Sequence, residues 1–241
     1  MTTGYKVERA SLTEQVSHLL QRYIEEHDLR PGDELPTEME LTQMFGVSRT
    51  VIREGLSAAS ALGLIVAETG RRSRVAELSP RVLDRFFTNA LRLNTGAVAE
   101  LLEVREALET FGVTLAARNP EPSRLEELAG HLWAMDQALR EDRQDAFVEA
   151  DIEFHLTLVE MSGNEILRHL IGALRSSTRQ TIASGLQARG SNLSLAAIQE
   201  VHVKIFDTVM RGEPEAAAAA MTEHFELAIA AVRNRDGAAK A

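Results

Sequence analysis

From residue 76 onward the chain carries no β signal. Seven successive stretches, residues 79–93, 98–119, 123–141, 145–163, 165–184, 194–212 and 214–235, space their apolar residues as one face of a helix does. Gly, Pro, Asn or Asp punctuate them, with short connections. Amphipathic helices joined closely bury their stripes against one another, so residues 80–236 are expected to form an all-α bundle. The alanine run 216–220 favours helix and fits close packing rather than a low-complexity tail. No solenoid-type repeat is present.

The first 76 residues follow another plan. Ser11 stands three residues ahead of Glu14, a capping-box spacing, and Val16, Leu19, Leu20, Tyr23 and Ile24 continue it at helical intervals. Pro31 and Gly32 end that helix. A second capping box, Thr37 with Glu40, opens a short helix, Gly46-Val47 makes a tight turn, and Ser48 caps a third helix that runs to Gly63. "LIVAE" and "RVAE" then read as two short strands around a Gly-containing turn. The expected fold is mainly α: three helices and a β-hairpin over 1–76, a linker in "VAELSPR", then the bundle, opened by Ser79-Pro80.

Charge places a function on the first part. The chain carries a net charge of −10, which by itself argues against nucleic acid. Yet residues 44–75 hold five arginines (Arg49, Arg53, Arg71, Arg72, Arg74) against Glu54 and Glu68, a balance of +3 in an acidic chain. In the third helix Ile52, Leu56, Ala59 and Leu62 form the expected buried stripe, while Arg49, Thr50, Arg53 and Ser57 fall away from it. Two arginines one turn apart at a helix start, after a tight turn and a short helix, can present donors to base edges in a major groove. The Arg-rich hairpin tip "TGRRSR" suits the phosphate backbone or the minor groove.

Residues 35–75, with "LPTE", "GVSRTVIRE" and "LSAASALGLI", resemble the winged helix-turn-helix of the GntR family of bacterial transcription regulators. The resemblance implies that Ser48, Arg49, Thr50 and Arg53 contact double-stranded DNA, with Thr69 and Gly70 at the wing tip. One departure is Met39, where the family often carries Arg or Ser.

In the bundle, Asp151 and His155 sit four apart and therefore share a helix face. His155, His202 and His224 lie on three different helices beside apolar neighbours, whereas His18, His27, His131 and His169 sit among polar ones. A single histidine of this kind is more often a satisfied core residue. Three of them with Asp151 form an oxygen/nitrogen set suited to Zn²⁺, Ni²⁺, Mn²⁺ or Fe²⁺, the first three preferred. The chain has no cysteine, so thiolate ligands and disulfides are excluded. "EVREALE", "DIEFH" and the histidines at 202 and 224 are similar to the FCD ligand-binding domain of the FadR-type branch of the same family. That resemblance implies Asp151, His155, His202 and His224 as metal ligands and Arg105 as a pocket arginine for an organic acid. The alternative for Arg105 is a surface i, i+4 ion pair with Glu109. Arg175 and Arg179 are further pocket candidates that spacing does not single out.

Catalysis needs a positioned base, and Glu153 and Glu200 are offset from the ligand face. No nucleophile motif, phosphate loop or dinucleotide fingerprint occurs. The expectation is therefore not an enzyme but a metabolite-responsive regulator, a repressor. It acts as a homodimer on palindromic operator half-sites and answers to a small carboxylate effector. The alternatives are a metal-dependent hydrolase with an accessory DNA-binding domain, and a regulator whose metal is purely structural. The N-terminus "MTTGYKVERA" has no apolar signal core and no stretch has membrane-spanning length, so a cytoplasmic protein without a membrane partner is expected.

Overall fold

A computed structural model of the chain describes residues 11–67, 71–93, 97–175 and 192–238. The chain divides into two compact units, Met1–Val82 and Leu83–Ala241.

The first unit begins with α1 (Leu12–Glu26), whose capping box closes as expected: Ser11 accepts from the Glu14 amide, and Glu14 accepts from the Ser11 amide. α2 (Glu38–Phe45) opens on the reciprocal Thr37–Glu40 pair and ends at Gly46, whose φ of 66° closes the turn. α3 (Arg49–Ala61) starts where the Ser48 hydroxyl accepts from the Val51 amide at 3.4 Å. Val16, Leu20, Leu35, Leu41, Ile52, Leu56, Ala59 and Ile65 meet in the core of this unit.

Two expectations are corrected. The stripe of α3 includes Gly55 and not Leu62, which caps the helix and is exposed. Gly55 is buried because α1 crosses there: a Cβ at this position would lie 2.2 Å from Val16 Cγ1. The strands are also shorter than the sequence suggests. β1 (Ile65–Val66) pairs antiparallel with β2 (Arg74–Val75), two residues each. The stretch before α2 supplies the missing partner, since the Leu35 amide donates to Ser73 and the Val75 amide to Asp33, with a bridge between Glu34 and Arg74. An edge strand needs its amides satisfied, and "RPGDELP" does this although Pro and Gly mark it only as a breaker.

α4 (Arg81–Leu93) begins two residues before the division, and the second unit holds the rest of it with α5 (Ala97–Arg118), α6 (Pro122–Arg140), α7 (Gln144–Met161), α8 (165–175 as far as it is described), α9 (Asn192–Met210) and α10 (Pro214–Ala238). Gly163 and Gly212, both at φ 67°, end α7 and α9, and Pro214 starts α10. α5 packs along α10, α6 along α7, and α9 lies against both α6 and α10. Ala217 and Ala220 are buried in that packing, as the alanine run suggests. Phe147, Phe154, Leu158, Ile205, Met221 and Phe225 belong to one core shared by α7, α9 and α10. No described helix is long and apolar enough to cross a membrane.

Candidate functional site

Three helices that pack on one core bring their histidines to one point. His155 of α7 and His202 of α9 are fully buried, and His224 of α10 is nearly so. With Asp151, one turn before His155, they offer one ligand atom each, all within 4.8 Å of one another. His155 Nε2 lies 3.2 Å from His202 Nε2 and 3.7 Å from Asp151 Oδ1, and His202 Nε2 lies 3.1 Å from the same oxygen. Ligand atoms about 2.1 Å from a common ion stand about 3.0 Å apart at right angles and about 3.4 Å apart in a tetrahedron. The spacing of this cluster is of that order.

The protonation states suit a cation too. Burial, and then the nearby Arg175 guanidinium, pushes His155 down to about 4. Burial, with His202 and His155 beside it, holds His224 well below the ordinary histidine range. Burial works against the Asp151 charge, but the His202 hydrogen bond and the neighbouring cationic groups outweigh it and keep the carboxyl well below its usual range. Two neutral imidazoles and an ionised carboxylate are the forms that bind metal. Glu109 Oε2 lies 2.5 Å from His155 Nδ1, and a proton on that nitrogen would leave the Nε2 lone pair facing His202 and Asp151. Three imidazole nitrogens and a carboxylate oxygen converging in a buried cluster are a donor set that suits a divalent cation. Phe154 and Phe147 flank the His202 ring, and Phe225 flanks His155 and His224. On that side the surroundings are apolar.

A second layer adjoins this cluster. Arg105 of α5 donates from Nε to Glu109 Oε1 at 2.9 Å, Arg175 donates to Glu109 Oε2 at 3.1 Å, and Arg175 also reaches Asp151 Oδ2 at 3.3 Å. The Arg105 guanidinium stands 5.2 Å over the Phe225 ring. The ion pair with Glu109 exists, but not on the surface: Arg105 is 3% exposed and Glu109 1%. Burial opposes the Glu109 charge, yet Arg105, Arg175 and His155 together hold its carboxyl well below the usual carboxylate range. Glu109 is the residue that sequence reading left out of the site, and Arg175 is one that it named as a pocket candidate without singling it out. For Glu109 the signal is present, because Val98, Leu102, Arg105, Glu109, Val113 and Ala116 share the buried stripe of α5. An ionisable residue in that stripe needs a buried partner. Arg179 lies outside the described residues. Glu153 and Glu200 are exposed, and Glu109, tied to two guanidiniums, is a poor proton acceptor.

In the first unit, Ser48, Arg49, Thr50 and Arg53 are all exposed at the start of α3, and Ser48 also caps it. Both arginines are held by Glu38 of α2, at 2.9 Å for Arg49 and 3.0 Å for Arg53. In the hairpin, Arg74 pairs with Glu34 and donates to the Gly32 carbonyl, and Arg72 lies 3.8 Å from Glu34. Thr69 and Gly70 lie outside the described residues.

Comparison with known proteins agrees with both units. Residues 12–75 match the bacterial regulatory proteins of the gntR family, and residues 100–227 match the FCD domain. The chain is 32% identical over 203 residues to the HTH-type transcriptional regulator LutR of Bacillus subtilis, covering 83% of this chain and 92% of LutR. It is 28% identical over 222 residues to the HTH-type transcriptional repressor NanR of Escherichia coli K12, covering 90% of this chain and 82% of NanR. Among solved structures, a Streptococcus agalactiae GntR protein matches with a TM-score of 0.66 at 22% identity, over 90% of this chain and 98% of that one. Escherichia coli McbR/YncC matches with a TM-score of 0.53 at 22% identity, over 94% and 99%. At such identities the structural matches speak for the fold.

Proposed function

This chain belongs to the GntR family of bacterial transcription regulators and carries an FCD domain behind its DNA-binding helix-turn-helix; on that premise we propose that it is a cytoplasmic, homodimeric repressor released from a palindromic operator by a small organic acid. The observation that carries this reading is the convergence of Asp151, His155, His202 and His224 beside two buried guanidiniums, Arg105 and Arg175.

These four residues would hold Zn²⁺, Ni²⁺ or Mn²⁺. A bound divalent ion supplies Lewis-acid attraction for the oxygens of a chelating ligand. Charge supports an anion as that ligand. Arg105 and Arg175 balance Glu109 and Asp151 while His155 and His224 are neutral, so a divalent cation adds positive charge to a buried site. An acid offsets that excess, and a buried site does not sustain it otherwise. Arg105 offers a planar fork for one carboxylate, as a bidentate contact. In the first unit, Arg49, Thr50 and Arg53 would read the major groove, Ser48 would contact the backbone from the start of α3, and Thr69 and Gly70 would meet the DNA at the wing tip. That the relative NanR is named a repressor supports the same sign of regulation here.

A second reading, a purely structural metal with no effector, draws on one observation: Arg105 and Arg175 already have carboxylate partners within the protein. One experiment separates the two. A duplex enriched by the protein from a random pool is titrated at fixed salt while hydroxy acids, sugar acids and dicarboxylates are added. Release by one of them, abolished in Arg105→Ala with basal DNA binding intact, supports the sensor. No release by any acid, with a melting temperature that falls on chelation, supports the structural metal. Arg105→Ala that responds like wild type removes Arg105 from the pocket.

A further inference from the structure

Glu38 is the first residue of α2, directly after the Thr37 cap. Its carboxylate sits between the two arginines of α3. Oε2 accepts from Arg49 Nε at 2.9 Å, and Oε1 and Oε2 accept from Arg53 Nε at 3.1 and 3.0 Å. The arginine side chains remain 68% and 62% exposed, against 32% for Glu38. The hydrogen bond from Arg49 lowers the Glu38 carboxyl from its ordinary value, with Arg53 acting the same way, so the group is charged.

A guanidinium has five N–H donors, and a bidentate contact to guanine O6 and N7 uses two. Both arginines are held at Nε, which leaves their four Nη groups outside these bonds. The geometry therefore presents each guanidinium end-on, in a fixed orientation. It also sets a negative charge beside both guanidiniums, which weakens the pull of the pair on a phosphate. Non-specific DNA binding is essentially all electrostatic, through counterions released by cations at phosphates. One carboxylate shared by two guanidiniums reduces the charge of the face from two to one. The acid thus favours base reading and opposes backbone contact.

A plainer role would be a tie between α2 and α3. That angle already has other supports: Leu41 of α2 and Ile52 of α3 are fully buried in one core, and Gly46 sets the turn between the helices. We propose that Glu38 is a specificity-determining residue for DNA binding, aiming Arg49 and Arg53 at bases and penalising phosphate contact. This rests on the reading of Arg49 and Arg53 as DNA-contacting residues.

The test uses the full chain, two duplexes of equal length and fluorescence anisotropy across a salt series. One duplex is enriched from a random pool by the wild-type protein and the other is its scramble. Glu38→Gln should bind the scramble about threefold or more tighter, and its log–log salt slope should steepen by about 0.9 for the charge released. The ratio of enriched to scrambled affinity should fall at least about tenfold, equivalent to one bidentate base contact. Glu38→Asp keeps the charge and should retain the wild-type slope on the scramble. Equal weakening of Glu38→Gln on both duplexes with an unchanged slope would reduce Glu38 to a tie between helices. A Glu38→Asp slope as steep as that of Glu38→Gln would remove charge as the cause. Arg49→Ala and Arg53→Ala form a separate arm. If both bind the enriched duplex within twofold of wild type, the recognition face itself is misassigned, whatever Glu38 does.

Discussion

Glu109 keeps a full negative charge at 1% exposure because Arg105, Arg175 and His155 surround it. A carboxylate in that position does two separable things. It stands against the Nδ1 side of His155, where it would favour the tautomer that ligates through Nε2, and it balances two buried guanidiniums. Glu109→Gln keeps the shape but removes the charge from both tasks. Metal affinity, measured by competition with a chelator, should drop by about 10–100-fold, the usual cost of losing such a supporting carboxylate. Urea unfolding should lose about 3–5 kcal/mol, since removing one partner leaves buried charge uncompensated. Unchanged metal affinity would mean that Glu109 serves the arginines alone. A loss confined to metal affinity, with no change in stability, would mean that the guanidiniums find other compensation.

At the scale of elements, the helices and their starts were legible because caps are local: Ser11, Thr37 and Ser48 each bond to an amide three residues on, and their identity alone announces it. The four metal-ligating candidates were legible because histidines beside Phe154, Val201 and Phe225 stand out in apolar stripes. What escaped notice depends on neighbours distant in sequence. The pairing of Asp33–Leu35 with the wing, and the meeting of Arg175 with Glu109 across 66 positions, leave no local spacing to read. Gly55 is of the same kind. In sequence it is a glycine inside a helix, a position that costs about 1 kcal/mol relative to Ala. In the fold its missing Cβ admits Val16 of α1. Gly55→Ala should therefore destabilise the N-terminal unit by about 1–3 kcal/mol, the range for overpacking, and should weaken DNA binding by displacing α3. Gly130→Ala, on the exposed face of α6 with nothing within 4 Å of the new Cβ, should instead stabilise by about 0.5–1 kcal/mol. Differential scanning calorimetry of the two variants checks the contrast, and equal shifts of the same sign would contradict the packing assigned to Gly55.

At the scale of the whole molecule, the cluster of Asp151, His155, His202 and His224 joins α7, α9 and α10, which already share an apolar core through Phe154, Ile205, Met221 and Phe225. Chelation should therefore leave far-ultraviolet circular dichroism nearly unchanged while lowering the melting temperature. The loss should equal the binding term alone, about 2.7 kcal/mol where the free ion stands at 100 times its dissociation constant. Unfolding on chelation would mean that the cluster, not the core, holds the helices together. Sensing makes a stronger demand. An acid releases the protein from DNA only if it binds the DNA-competent arrangement less well than the other, and the operator must then weaken acid binding by the same factor. Couplings of this kind are typically about 5–150-fold. Titration of the metal-loaded protein with the identified acid, free and saturated with operator duplex, should give dissociation constants in that ratio. Arg105→Ala should bring the ratio close to one by losing more affinity for the acid in the operator-free state than in the operator-bound one; an equal loss in both would leave the ratio unchanged. A wild-type ratio of one, with the acid bound at the Asp151–His224 cluster, would leave a regulator whose second unit binds a metabolite without reporting it to DNA.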